Sequence, residues 1–133
     1  MTDNTYKKTI LVVEDEDTFL RPLSAKLAGE GFAVLAAHDG VEGLTLAREQ
    51  KPDMILLDLK MPRMDGMAML RKLRESEFGK TVPVLILTVL SINDDTRIRD
   101  VAELAPTYYV EKGEASLTEV VEKIREVLNP VEH

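Results

Sequence analysis

Short aliphatic runs alternate along this chain with longer stretches in which apolar residues recur every third or fourth position. Residues 9–13 form a continuous β-branched and aliphatic run, the pattern of a strand covered on both faces. Over residues 17–30, Leu20, Leu23 and Leu27 share one helical face, and Gly31 follows as a left-handed cap. Pro22 stands inside that stretch. It removes a backbone donor and crowds the preceding turn, so a late start or a slight bend is predicted there. The unit then repeats: a strand over 33–37, a turn at His38-Asp39-Gly40, and a helix over 41–50 with Leu44 and Ala47 inward, stopped by Pro52. Residues 54–57 are a third run, 61–66 a loop, and 67–77 a helix with Leu70 and Leu73 facing in, ended by Gly79. A strand over 82–87, a helix over 94–105, a strand over 107–111 and a helix over 117–128 complete the series. The last of these should bury Val120, Val121, Ile124 and Leu128.

Five strand–helix pairs with short connections require parallel strands joined by right-handed crossovers, so helices cover both faces of one sheet. The expected fold class is α/β: a doubly wound five-stranded parallel sheet, in the flavodoxin-like order 2-1-3-4-5, with five helices. The reading is of one domain over residues 1–133, with its core over about 8–128. In such sheets ligands bind outside the carboxyl ends of the strands, where the strand order switches direction.

Composition narrows the function classes. Of 133 residues, 17 are Lys or Arg and 24 Asp or Glu, a formal net charge of −7, with the basic residues scattered. Phosphate contacts need clustered cations, so nucleic acid is disfavoured as a direct partner. The absence of Cys excludes disulfides and thiolate metal sites. No run approaches the roughly 20 apolar residues of a membrane span, and the polar start is followed by no signal-peptide core. A cytoplasmic location is expected.

The strand ends carry the chemistry. The first run ends in Glu14 and Asp15, the third in Asp58, the fourth in Thr88 and the fifth in Lys112. With strand order 2-1-3-4-5, three carboxylates, a hydroxyl and an ammonium surround one crevice. Crowded carboxylates repel one another, and one Lys offsets only part of their charge. A hard divalent cation resolves this, and an all-oxygen ligand set with room for water and a phosphoryl oxygen suits Mg²⁺ best. A carboxylate in that setting is equipped to attack a phosphoryl group and hold it as an aspartyl phosphate.

Three motifs then fall into order. Leu11-Val12-Val13-Glu14-Asp15, His38-Asp39-Gly40, and the run from Pro52-Asp53-Met54-Ile55-Leu56-Leu57-Asp58 to Leu59-Lys60-Met61-Pro62-Arg63-Met64-Asp65-Gly66 together resemble the response-regulator receiver domain of two-component signalling. The resemblance covers about residues 8–128. It implies that Asp58 is the phosphoacceptor, Asp15 a direct Mg²⁺ ligand, Glu14 a ligand through water, and the Lys60 backbone carbonyl the last protein ligand. It further implies that Thr88 hydrogen-bonds the phosphoryl oxygen, that Lys112 pairs with it, and that Tyr109 is a rotating switch aromatic. The donor would be a histidine kinase or phosphotransfer protein, or a small phosphodonor. The readout would be the face of the helix over 94–105, the fifth strand and the last helix, a surface that also suits pairing of two copies or docking of an output domain or target protein. Such a domain phosphorylates itself and is not a turnover enzyme.

The chain departs from the family pattern at several places. Glu14 stands for the commoner Asp, and Val89 follows Thr88 where a small residue is usual, which narrows the path to Asp58. Leu90 and Lys60 occupy positions resembling the family's modulators of phosphoryl lifetime. Gly113 replaces the proline after Lys112, and since a cis bond before a non-proline costs about 2.5–4 kcal/mol, that bond should be trans. Glu16 reads as a solvated loop residue and Asp17 as the cap of the first helix. The alternatives are a phosphorylation-independent docking module on the same fold, a small haloacid-dehalogenase-like phosphatase with Asp15 as nucleophile and Asp17 as acid, and a flavin or nucleotide module. The acidic run from Glu14 to Asp17 and the lack of a Gly-rich loop speak against the last.

Overall fold

The computed structural model describes residues 7–59, 64–88, 108–111 and 117–128. Strands β1 (Thr9–Val13), β2 (Ala33–Ala37), β3 (Met54–Asp58), β4 (Val84–Thr88) and β5 (Tyr108–Glu111) form one parallel sheet in the order β2-β1-β3-β4-β5. Helices α1 (Asp17–Gly29), α2 (Gly40–Gln50), α3 (Gly66–Leu73), α4 (Glu77–Thr81) and α5 (Leu117–Leu128) connect or flank the strands. The doubly wound class and its strand order are as the sequence pattern predicts. The helix expected over 94–105 lies outside the described residues, as do Lys60, Val89, Leu90, Lys112 and Gly113.

Both faces of the sheet are covered, which is why its inner strands are continuous aliphatic runs rather than alternating ones. Ile10, Val12, Met54, Leu56, Leu85 and Leu87 pack on one side with Leu20, Leu23 and Leu27 of α1 and with Val120, Val121 and Ile124 of α5. Leu11, Val13, Ile55, Leu57 and Ile86 pack on the other with Leu44 and Ala47 of α2 and with Leu70 and Leu73 of α3. Leu128, expected in the buried stripe of the last helix, is only half-buried.

Three expectations need correction. First, α1 starts at Asp17 with Pro22 inside it, not later. The N–H groups of Phe19 and Leu20 both reach the Glu16 carbonyl, at 3.0 and 2.8 Å, so the first turn closes without Pro22. Pro22 is exposed and removes only a later backbone donor. Second, Asp17 is the first helical residue rather than the cap. The N-cap is Glu16, and its side chain makes no capping hydrogen bond. Third, the stretch read as one helix over 67–77 is two. α3 stops at Leu73, and Ser76 restarts the chain as α4 by accepting from the Gly79 N–H at 3.0 Å, so Gly79 lies inside a helix instead of ending one. The Arg74 guanidinium holds this corner, donating to the carbonyls of Gly79 at 2.6 Å and Val82 at 2.8 Å. Burial pulls its pKa down from the usual arginine value. Because Val82 caps α4, β4 begins only at Val84.

Gly31 does end α1 as expected, at φ +99°, a conformation that a residue with a Cβ rarely adopts. Inside the same helix the Ser24 hydroxyl is buried with no hydrogen-bond partner among the described residues. Ser24→Ala should therefore stabilise the chain by about 1 kcal/mol, since it removes an uncompensated hydroxyl and adds helix propensity. A urea unfolding midpoint at or below that of the parent would contradict this.

Candidate functional site

Register builds the site. Val13 lies opposite Leu57, so Glu14 and Asp58 leave adjacent strands side by side, where the strand order switches between β1 and β3. Asp58 is in register with Leu87, and Thr88 ends β4 opposite Glu111, the residue before Lys112. Pairing runs one residue past β1, with the Glu14 N–H donating to the Ala37 carbonyl at 2.9 Å. This draws the Glu14 side chain inward: it is fully buried, and Asp58 is 3% exposed.

Past the end of β1, Asp15 and Glu16 are both exposed, and the Glu16 backbone N–H donates to Glu14 Oε2 at 3.0 Å. Carboxylate oxygens of Glu14, Glu16 and Asp58 all lie within 4.8 Å of one another. Asp15, expected as the direct metal ligand, is not in this group, and Glu16, read as a solvated loop residue, is. No periodicity in the sequence singles out Glu16, which lies past the end of β1.

Backbone hydrogen bonds tie the start of α3 to the end of β3 and to α2. The Gly66 N–H donates to the Leu59 carbonyl and the Gly40 N–H to the Met64 carbonyl, each at 3.0 Å. Asp65 caps α3 by accepting from the Ala68 N–H at 2.9 Å. A Cβ on Gly66 would run into the Asp58 carbonyl oxygen and the Leu59 Cα, so the close approach of α3 to the end of β3 depends on glycine.

The donor set fits a hard divalent cation. It offers carboxylate oxygens alone, two of the three side chains are buried, and buried like charges of this kind are tolerated when a cation neutralises them. His38 belongs elsewhere, its ring nitrogens facing Asp17 at 3.7 Å and Glu42 at 3.5 Å.

Tyr109 packs against the α2–α3 side of the sheet with its hydroxyl buried and no hydrogen-bond partner among the described residues. Burial raises its pKa above the usual phenol value. The sign follows from linkage: the unfolded chain loses this proton near pH 10, before the folded chain does, so stability falls as pH rises from there towards the folded pKa. Tyr109→Phe should flatten that alkaline decline, as measured by denaturant midpoints across the range. A decline equally steep in the variant would count against it.

Comparison with known proteins places these features in context. The family model described as response regulator receiver domain matches residues 10–125. The protein named "Probable transcriptional regulator ycf27" of Porphyridium aerugineum is 36% identical over 126 residues, covering 95% of this chain and 50% of that protein. Response regulator PleD of Caulobacter vibrioides is 42% identical over 86 residues, 65% of this chain and 19% of PleD. The chain thus spans half or less of these relatives' length. Among solved structures, the receiver domain of sensor histidine kinase PA1611 from Pseudomonas aeruginosa, with a magnesium ion coordinated in its active-site cleft, superposes with TM-score 0.81 at 26% identity over 91% of this chain and 97% of that one. The signal receiver domain of a signal transduction histidine kinase from Syntrophus aciditrophicus gives 0.82 at 28% identity over 95% and 93%.

Proposed function

The chain belongs to the response regulator receiver domain family, and from that premise we propose that Asp58 accepts a phosphoryl group in a Mg²⁺-dependent reaction that switches a partner-binding face. Receiver domains are signalling domains that bind Mg²⁺ in an acidic site and work with histidine kinases and phosphotransfer proteins. The observation that carries the reading for this chain is the buried Asp58 carboxylate at the end of a central strand, grouped with two further carboxylates.

In the proposed reaction an Asp58 carboxylate oxygen attacks phosphorus, the phosphorus–nitrogen bond to the donor's imidazole breaks, and the imidazole leaves with the bonding pair. Glu14 and Asp58, with Asp15 and the Lys60 carbonyl, are the ligands proposed for Mg²⁺. The ion when bound would neutralise charge on the transferring group. Thr88 would donate its hydroxyl to a phosphoryl oxygen and Lys112 would pair with another. Movement of Thr88 towards that oxygen would free space for Tyr109, biasing a pre-existing two-state equilibrium.

We further propose that the chain is one receiver domain, is not a turnover enzyme and works in the cytoplasm. Among the described residues no helix is long and apolar enough to cross a membrane. The test is incubation with acetyl phosphate and Mg²⁺ followed by intact mass. One added phosphoryl group per chain is expected. No adduct on a chain that binds Mg²⁺ normally would replace this reading with that of a phosphorylation-independent docking module.

A further inference from the structure

We propose that Gly40, the first residue of α2, is a positioning residue for the phosphoacceptor: it holds the backbone corner Met64-Asp65-Gly66 against the end of β3 and so sets where the Asp58 carboxylate stands. This rests on the reading above and deepens it. The turn His38-Asp39-Gly40 supplies none of the groups proposed to bind the cation or the phosphoryl group, and acts through the backbone instead.

One corner is gripped by two elements. The Gly40 N–H donates to the Met64 carbonyl at 3.0 Å, and two residues on, the Gly66 N–H donates to the Leu59 carbonyl at 3.0 Å. Each bond is accompanied by a close backbone approach that only glycine permits. A Cβ on Gly40 would run into the Met64 carbonyl oxygen and lie 2.9 Å from the Met64 carbonyl carbon and Cβ, while one on Gly66 would run into the Asp58 carbonyl oxygen. Asp65, between them, is tied to α3 through the Ala68 N–H, so the corner moves with that helix. A push on Met64 is therefore passed to Gly66, which bears directly on the residue whose carboxylate attacks.

The same turn that caps α2 aims this grip. A helix leaves its first N–H groups without partners inside the helix. Here the Glu42 N–H is taken by the Asp39 side chain at 2.8 Å and the Gly40 N–H by Met64, while Glu42 Oε1 accepts from the His38 N–H at 2.8 Å. Reciprocal bonds of this kind fix the path of the chain into the helix, and with it the direction in which the Gly40 N–H points.

The test follows adduct formation by intact mass at saturating Mg²⁺ over a series of acetyl phosphate concentrations, for the parent, Gly40→Ala, Asp39→Ala, Asp39→Asn and Ser76→Ala, each at a temperature where it is folded. Gly40→Ala should lower the maximum rate about tenfold or more and leave the half-saturating acetyl phosphate concentration unchanged, since a misplacement of 1 Å costs about a hundredfold and no donor contact is touched. Asp39→Ala loosens the start of α2 without adding an atom and should lower the same rate, whereas Asp39→Asn, an equally good cap, should restore it. Ser76→Ala removes the matching cap from α4, which leads into the start of β4, and should lower stability without slowing the reaction. A parental rate in Gly40→Ala, a change confined to the half-saturating concentration, an Asp39→Asn loss as deep as that of Asp39→Ala, or an equal loss in Ser76→Ala overturns the assignment and leaves Asp58 as acceptor. If Gly40→Ala does not fold, the Asp39 pair decides in its place. A parent chain that gains no phosphoryl group overturns both.

Discussion

Asp58→Asn is expected to leave the chain folded and to end phosphoryl uptake altogether. The amide keeps the shape of the side chain at the end of β3 but is too weak a nucleophile to attack phosphorus. The loss would not reflect unfolding. One of three crowded like charges is removed, so without divalent cation the variant should melt at or above the parent temperature. Mg²⁺ at about 100 times its dissociation constant should stabilise the parent by about 2.7 kcal/mol, and most of that gain should vanish in the variant. Intact mass after acetyl phosphate treatment, with melts at both cation levels, checks all three points. A phosphoryl group still gained by Asp58→Asn would move the acceptor elsewhere and revive Asp15 as the nucleophile of a dehalogenase-like enzyme.

Gly66→Ala should damage stability and chemistry together. The added methyl would meet the Asp58 carbonyl and the Leu59 Cα, both backbone atoms that cannot rotate away. Relief requires α3 to withdraw from the end of β3, breaking the bond from the Gly66 N–H to the Leu59 carbonyl. Overpacking of this kind costs about 1–3 kcal/mol. Misplacing the attacking carboxylate by even 1 Å slows the reaction about a hundredfold. The unfolding midpoint and the rate of adduct formation should fall together, and a variant with parental rate and stability would show that the junction of β3 and α3 yields more easily than its contacts indicate.

Elements built from strong local patterns were legible in the sequence. β1 and β2 and the last helix have the boundaries their aliphatic runs predict, and Gly31 marks a real chain reversal. What could not be read were outcomes decided by contacts between segments. A continuous amphipathic pattern over 67–77 conceals a break that depends on Arg74 reaching two carbonyls beyond it. Pro22 appears disruptive in sequence, yet its exposed position leaves α1 intact. Within the site, burial of Asp58 follows from the run before it, whereas the nearness of Glu16 to Glu14 and Asp58 arises past the end of β1, where a backbone bond ties Glu16 back to Glu14.

Tyr108 and Tyr109 are consecutive on β5 yet belong to opposite sides of the sheet, the first beneath the Lys123 ammonium on the α1–α5 side and the second among the α2–α3 residues. The sheet is thus a partition. The proposed rotation of the Tyr109 ring would be felt directly only on its own side, and α5 would sense it only through displacement of the strand backbone that both tyrosines share. Two classes of outcome are thereby insulated: a ligand resting on one side can report ring position, whereas one gripping α5 reports strand position, and the two need not respond in unison.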